Sequence, residues 1–236
     1  MTNLMLYGLQ RSGTNYLECL LRQNFEGFQL NNNHYTRSLP LHKHFRLYDQ
    51  KHFVPEPKYL NNFIYPDFDS FDQHVLQLTE QPTMHYIIIT KEPHSWYLSY
   101  CNEAIKNNWP NYMKKWINSQ YLIEYNLFCA KWLDFYESEG GQKKILMVRY
   151  EDFLHNLDAT LDRIQVAFGI QKKHARYSSP AKVPRSGTFT TKRRIFYERG
   201  QFAEHFTKNE LLAINGMLDK TVTQKLGYSS SSDNHF

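Results

Sequence analysis

The chain has 236 residues, of which 41% are hydrophobic and 22% charged, and its formal net charge is +5. This length and composition suffice for one domain with a sizeable core, and a positive chain suits anionic ligands in general. No stretch approaches the roughly 18 consecutive apolar residues of a membrane-spanning helix, which excludes a membrane span. The cysteines Cys19, Cys101 and Cys129 all fall in predicted helices, which argues against a disulfide framework and favours a reducing, cytoplasmic compartment.

The first predicted elements are a strand, a loop and a helix. Residues 4–7 are apolar and predict a strand, residues 8–15 form the loop, and residues 16–21 begin a helix. The first amides of a helix lack internal partners and carry the positive end of its dipole, so they hold a phosphate through the backbone alone. This arrangement predicts a phosphate site near the start of the chain.

The loop departs from the nucleoside-triphosphate pattern Gly-x-x-x-x-Gly-Lys-[Ser/Thr]. When the two are aligned on Gly8 and Gly13, Thr14 occupies the lysine position and Asn15 the hydroxyl position. In triphosphate enzymes that lysine reaches the terminal phosphates and that hydroxyl ligates magnesium, so their absence argues against a metal-dependent kinase or ATPase. The positive charge lies earlier, on Arg11, where a guanidinium would contact a less charged transferring group that needs no metal.

A second strand, loop and helix lie at residues 86–100. Residues 86–90, of which all but Tyr86 are β-branched, predict a buried parallel strand, and Pro93 suits the first turn of the following helix. Lys91 therefore lies at the carboxyl end of a strand, where ligands of open α/β sheets bind. Together with the Ser99 hydroxyl, it would contact a second phosphate while the first loop holds the other end of the ligand.

Residues 11–16, Arg-Ser-Gly-Thr-Asn-Tyr, resemble the 5′-phosphosulfate loop of the sulfotransferases that use 3′-phosphoadenosine-5′-phosphosulfate (PAPS). Residues 87–100 resemble the 3′-phosphate segment of that family, which usually has Arg where Lys91 stands, and residues 145–153 resemble its third core strand. The resemblance implies a three-layer α/β/α sandwich with a central parallel sheet, a P-loop-containing nucleotide-binding fold. It also implies PAPS as donor and adenosine 3′,5′-bisphosphate (PAP) as product. The donor-binding residues that it assigns here are Arg11, Ser12, Gly13, Thr14, Asn15, Tyr16, Lys91 and Ser99.

Within this set, Tyr16 has two interpretations. Relatives keep an aromatic residue against the adenine at this position, whereas a tyrosine in the first helix can equally face the core.

The remaining helices complete one predicted domain, residues 1–228. Asp158 is a candidate N-cap and Gly169 is placed to end the same helix, while Thr207 and Glu210 predict a capping box that opens a later one. The serine-rich residues 229–236 predict a disordered tail. One set of apolar residues at helical spacing is interpreted as core: Leu122, Tyr125, Cys129, Trp132 and Tyr136.

The densest basic run is residues 192–194, Lys-Arg-Arg, which follows a polar segment, residues 178–191, predicted to be a mobile loop. In the sulfotransferases a late basic loop closes over the 3′-phosphate. The resemblance therefore implies this role for Arg193 and Arg194, with Arg199 as an alternative register. A solvated basic surface is the other interpretation of the run.

Sulfuryl transfer requires a base for the acceptor proton, cations around the transferring group, and in-line geometry. Residues 42–44, His-Lys-His, follow the first helix, where the second strand and its loop are expected. We predict that His44 is the base, because histidine titrates near neutrality, and that Lys43 and Arg11 balance the developing charge. On an extended segment Lys43 would point away from both histidines, so one shared site requires a turn. The alternative bases are Glu92 and Glu103.

The sequence thus predicts a metal-independent sulfotransferase that acts on a hydroxyl or amine of a small-molecule or carbohydrate acceptor, with no nucleic-acid partner. Residues 46–80 and 105–120 would build the acceptor pocket. Its aromatic residues, which can stack on a ring or simply pack, are Phe53, Tyr59, Phe63, Tyr65, Trp109 and Tyr112. Two other classes stay open: a P-loop phosphotransferase that binds ATP with magnesium, and a non-catalytic protein that binds RNA or a polyanion through residues 192–194.

Overall fold

A computed structural model describes residues 1–33, 37–47, 63–107, 119–183, 187–188 and 191–228, with the backbone alone at residues 187, 188, 192 and 193. Its central element is a parallel sheet of four strands in the order β3-β1-β4-β5. The strands are β1 (Thr2–Tyr7), β3 (Phe28–Leu30), β4 (His85–Thr90) and β5 (Ile145–Arg149). Because β1 and β4 are parallel neighbours, the loops that follow them emerge at the same edge of the sheet.

Helices cover both faces of this sheet. In chain order they are α1 (Thr14–Asn24), α2 (Phe68–Thr79), α3 (Pro93–Lys106), α4 (Ser119–Glu137), α5 (Glu139–Lys144), α6 (Tyr150–His155), α7 (Leu157–Phe168), α8 (Thr191–Glu198), α9 (Lys208–Met217) and α10 (Lys220–Lys225). A short 3₁₀ helix, Gln201–His205, lies between α8 and α9. No helix within the described ranges is long and apolar enough to cross a membrane.

Alternate strand residues enter two separate cores. Met5 and Tyr7 of β1 pack into one core with α2, α3 and α4, whereas Leu4 and Leu6 pack into the other with α1, α6 and α7. This follows from the two-residue period of a strand, which sends successive side chains to opposite faces. The predicted three-layer α/β/α sandwich with a central parallel sheet is therefore confirmed.

Two short antiparallel ribbons lie outside the main sheet. One pairs β2 (Phe25–Glu26) with β6 (Gln171–Lys172), and the other pairs β7 (Lys182–Val183) with β8 (Gly187–Thr188). The second ribbon corrects the expectation that residues 178–191 form only a loop, because the segment folds back and pairs with itself.

Helix ends agree with the sequence in two places and differ in a third. Gly169 ends α7 with φ of 62°, and Thr207 and Glu210 form the expected capping box of α9. The N-cap of α7 is Asn156, whose side chain accepts from the amide of Ala159 at 3.1 Å, so the assignment of Asp158 was wrong. The chain turns between α6 and α7 two residues earlier than the apolar pattern indicated.

The aromatic stripe of α4 also needs one correction. Leu122, Tyr125, Cys129 and Trp132 are buried as expected, but Tyr136, in the last turn, is 38% exposed.

Candidate active site

The first loop, between β1 and α1, depends on two glycines. A Cβ on Gly8 would lie 2.8 Å from the carbonyl oxygen of Ile89, and one on Gly13 would lie 2.5 Å from Cδ2 of Tyr150. Gly13 also has a φ of 101°, which side-chain-bearing residues rarely adopt. The loop therefore passes tightly between β4 and α6, and at Arg11, with φ of 69°, it holds a second left-handed residue.

This loop has the features of an anion site. Helix α1 begins at Thr14 with Gly13 as its N-cap, and no described side chain caps its first amides or places an acidic group in its first turn. Among the described residues, Nε of Arg11 is buried without a hydrogen-bond partner, while Nη1 lies 3.6 Å from Oε2 of Glu103. A buried donor without a partner is costly, so both features fit an anionic ligand at this helix end.

Other predicted residues of the loop are engaged within the protein. The buried Ser12 hydroxyl donates to the carbonyl of Leu9 at 2.7 Å and so shapes the loop. Oδ1 of Asn15 accepts from Nζ of Lys43 at 2.7 Å, and the same ammonium lies 3.2 Å from Oε2 of Glu18. The Lys43 ammonium therefore lies beside the start of α1, and Glu18 neutralises part of its charge.

Helix α3 fixes the loop from the other side. Nε1 of Trp96 donates to the carbonyl of Gln10 at 2.8 Å, and the Tyr100 hydroxyl donates to Oε1 of Gln10 at 3.2 Å. Neither aromatic residue was assigned a role from the sequence. Their spacing of one helical turn was the available signal, since it places both polar tips on one face.

The strand end after β4 carries Lys91, which is only 3% exposed. Its Nζ donates to Oγ of Ser99 at 2.8 Å and lies 4.3 Å from the centroid of the Tyr197 ring. Burial lowers the pKa of Lys91, the neighbouring charges of Tyr197 and Glu151 oppose that shift, and Arg11 adds to it. The structure therefore brings Lys91 and Ser99 into contact, within electrostatic reach of Arg11.

Helix α8 covers this strand end and carries the late basic run. Tyr197 of α8 packs on Tyr150 and over Lys91, a contact that sequence reasoning missed because nothing local signals it. Nε of Arg194 contacts Oε1 of Glu198 at 2.7 Å, and its positive charge acts on the Tyr16 hydroxyl. The side chain of Arg193 lies outside the described part of the structure. Binding of a 3′-phosphate by Arg193 or Arg194 stays a prediction.

Residues 42–44 form a turn. The amide of Phe45 donates to the carbonyl of His42 at 2.9 Å, which differs from the extended segment considered above and allows Lys43 and His44 to face one site. The ring Nδ1 of His44 lies 2.7 Å from the carbonyl oxygen of Gly8, and the Gly8 amide donates to the Lys43 carbonyl at 3.0 Å. Two contacts therefore tie this turn to the start of the first loop.

The contact with Gly8 determines the tautomer of His44. A carbonyl oxygen only accepts, so Nδ1 carries the proton and Nε2 presents its lone pair. Burial lowers the pKa of His44 well below its usual range, and the charges of His42, Arg46 and Lys43 act in the same direction. His44 is therefore a neutral imidazole at pH 7 and can accept a proton at Nε2.

The other candidates have structural partners. Tyr16 is 5% exposed and packs edge-on against Tyr150 with centroids 5.9 Å apart. The contact of Tyr16 with an adenine stays a prediction. Glu103 contacts Arg11, while Glu92 accepts from the Ser95 amide at 2.6 Å and caps α3.

His94, next to the lysine-bearing strand end, bridges α3 and α9. Nδ1 lies 2.7 Å from Oε1 of Glu92, and Nε2 lies 2.8 Å from Oδ1 of Asn215. Burial by itself lowers the pKa of His94, but its bonds to Glu92 and Asn215 and the charge of Glu92 outweigh burial and raise it. The doubly protonated ring satisfies both acceptors.

This bridge gives a pH-dependent contribution to stability. Because the folded pKa of His94 is raised, the contribution is fully present below the unfolded pKa of about 6.5 and is lost as pH rises through the folded value. The urea midpoint of the wild type should therefore exceed that of His94→Gln most at pH 6 and less at pH 9. An advantage that grows toward pH 9 would contradict this sign.

Of the aromatic residues proposed for an acceptor pocket, Phe53, Tyr59, Trp109 and Tyr112 lie outside the described residues. Phe63 and Tyr65 are described, and their rings stack with centroids 6.2 Å apart. The Tyr65 hydroxyl also pairs with Nδ1 of His74 at 2.6 Å. These two residues pack within the protein.

Solved structures with a similar architecture include two sulfotransferases. The chain aligns with mouse sulfotransferase SULT7A1, solved in complex with PAP, at a TM-score of 0.57 and 14% identity, over 99% of this chain and 90% of the mouse protein. It also aligns with a sulfotransferase from Alicyclobacillus acidocaldarius at a TM-score of 0.46 and 12% identity, over 95% and 99% of the two chains. No protein-family model and no curated protein matches the sequence. The chain has the sulfotransferase fold, as the resemblance of its two loops predicted.

Proposed function

We propose that the protein transfers a sulfuryl group from PAPS to a hydroxyl or amine of a small-molecule or carbohydrate acceptor and releases PAP. The observation that carries this proposal is the convergence of three groups at one edge of the sheet. They are Arg11 beside the open end of α1, the Lys91–Ser99 pair after β4, and His44 with its lone pair on Nε2. The mouse sulfotransferase of the same fold was solved with PAP, which supports the choice of donor.

The donor would be held at both ends. The backbone amides at the start of α1 and the guanidinium of Arg11 suit the 5′-phosphosulfate, and Lys91 with Ser99 suits the 3′-phosphate. Arg193 and Arg194 on α8 would add charge over the 3′ end. The absence of a P-loop lysine and of the magnesium-binding hydroxyl at Asn15 supports a metal-independent reaction.

Sulfuryl transfer requires a base for the acceptor proton and positive groups near the leaving phosphate. His44 would take the acceptor proton at Nε2 while the acceptor oxygen or nitrogen bonds to sulfur and the sulfur–oxygen bond to the 5′-phosphate breaks. The electron pair of the broken bond stays on the leaving phosphate. Arg11 in the first loop and Lys43 beside the start of α1 would offset that charge.

Binding of PAP provides the direct test. Calorimetric titration should show PAP binding that is equal with magnesium and with a chelator. Lys91→Ala should weaken it about 10-fold or more, because a hydrogen bond to a charged group is worth about 1.5–3 kcal/mol. Lys143→Ala removes the same charge from an exposed site on α5 and should leave the affinity unchanged. AMP, which lacks the 3′-phosphate, should bind the wild type as weakly as PAP binds Lys91→Ala.

Three outcomes would contradict this proposal, and two of them would favour another function. Equal affinity for AMP and PAP would contradict the proposed 3′ site. Magnesium-dependent ATP binding would favour the phosphotransferase, and steeply salt-dependent RNA binding without PAP binding would favour the polyanion-binding protein.

We further propose that residues 1–228 act as one domain in the cytoplasm. The three cysteines are unpaired, which supports a reducing compartment.

A further inference from the structure

We propose that the buried ion pair between Arg46 and Glu124 is a positioning device that holds the His44 ring against Gly8, with Nε2 left free to accept a proton. The Arg46 side chain is 0% exposed and that of Glu124 is 5% exposed. Nε of Arg46 contacts Oε1 of Glu124 at 2.5 Å, while Nη1 donates to the carbonyl of His44 at 2.6 Å. One guanidinium therefore links α4 to the backbone of His44 itself.

Stability alone does not account for this pair. Removing two charges from water costs free energy, and well-packed apolar residues in place of a buried pair are often neutral or stabilising. A guanidinium, in contrast, donates in several fixed directions at once, which a lysine ammonium does not reproduce. The geometry at Arg46 uses this property, since Glu124 and the His44 carbonyl lie on different nitrogens.

Helix α4 also contacts the strand end that carries Lys91, through Tyr125. The Tyr125 hydroxyl donates to the carbonyl of Lys91 at 2.8 Å, one position after Glu124. Two consecutive residues of α4 thus fix the backbone at the histidine turn and at the lysine-bearing strand end. The distance between His44 and Lys91 is set by one rigid helix.

The test uses Arg46→Met combined with Glu124→Leu, because this double variant removes opposite charges together and fills the space with apolar side chains. The groups that act on His44 are His42, Lys43, Arg46 and the Gly8 carbonyl, so the double variant leaves three of them in place. Arg46→Lys is the second variant, since it keeps both charges and loses the fork. Either variant tests the proposal if the other fails to fold.

The first readout is the state of the ring, by nitrogen NMR of histidine-labelled protein with the His44 signal assigned from His44→Gln. In the wild type we expect a single tautomer protonated at Nδ1. In both variants we expect a mixture with the proton partly on Nε2. In Arg46→Lys, which keeps the positive charge that acts on His44, we also expect a pKa closer to the ordinary value because the ring becomes more exposed. An unchanged tautomer in either folded variant, or an unchanged pKa in folded Arg46→Lys, would overturn the proposal.

The second readout rests on the proposed function. In the double variant kcat should fall about 100-fold, the loss typical of a misplaced reacting group, with unchanged PAP affinity. Arg46→Lys should lie between the double variant and the wild type. Failure of the wild type to bind PAP would refute the proposed function, whereas the NMR result decides the role of Arg46 and Glu124 by itself.

Discussion

Replacing His44 with Gln is expected to lower kcat by about 10²- to 10⁴-fold, the usual contribution of a positioned general base. Glutamine can keep a hydrogen bond to the Gly8 carbonyl but presents no basic lone pair in place of Nε2. The loss should therefore fall on kcat, with PAP affinity unchanged. Transfer of labelled sulfate from PAPS, with acceptor screened from alcohols, phenols, amines and sugars, measures the effect.

The matched control for this variant is His155→Gln, which makes the same replacement at an exposed position in the last turn of α6. Its kcat should equal that of the wild type. Full activity in His44→Gln would remove His44 from the mechanism and direct attention to Glu103, which lies beside Arg11.

The pH profile supplies an independent check on the same residue. Because burial lowers the pKa of His44 well below its usual range, the neutral base persists to acid pH. We expect kcat to be flat between about pH 7 and 8 and to decline only below the ordinary histidine pKa of about 6.5. A decline centred above pH 7 would contradict the neutral, Nδ1-protonated ring.

Much of the fold and part of the site could be predicted because the signals are local. The strands that became β1, β4 and β5 are short apolar runs, and each is followed by a helix. Lys91 and Ser99 lie on a strand end and on the adjoining helix, so their contact follows from spacing along one segment. The glycines of the first loop were equally visible in the sequence.

The features of the site that could not be predicted are contacts between segments far apart in the sequence. His44 is held by Gly8, 36 positions earlier, and the Arg46–Glu124 pair spans 78 positions. In the sequence Arg46 and Glu124 are ordinary charged residues, which are usually exposed, and no local pattern marks them as buried partners. Tyr197 likewise reaches Lys91 only because α8 packs against α6, a result of tertiary folding.

Replacing Gly13 with Ala is expected to weaken PAP binding about 100-fold and to destabilise the fold by about 1–3 kcal/mol, the cost of holding a side-chain-bearing residue in a rare backbone conformation. The residue has a φ of 101°, and the new Cβ would lie 2.5 Å from Cδ2 of Tyr150. Either the loop or the ring must therefore move. The backbone amides at the start of α1 would move with the loop.

A shift of Tyr150 would also disturb Lys91, which is proposed to bind the 3′-phosphate. Its ring packs against Tyr197 with centroids 5.3 Å apart and lies 5.3 Å from Nζ of Lys91. One added methyl group would therefore disturb both ends of the proposed donor site, so the loss of PAP affinity should exceed that of Lys91→Ala. Calorimetry and urea denaturation measure the two effects separately.

Gly216→Ala is the control, because Gly216 lies in α9 with nothing within 4 Å of an added Cβ. Alanine there should stabilise the protein by about 0.5–1 kcal/mol through its better helix propensity, with unchanged PAP affinity. If Gly13→Ala bound PAP as tightly as Gly216→Ala, the first loop would not be the 5′-phosphosulfate site. The close approach of Gly13 to Tyr150 would then serve only the packing of α1 against α6.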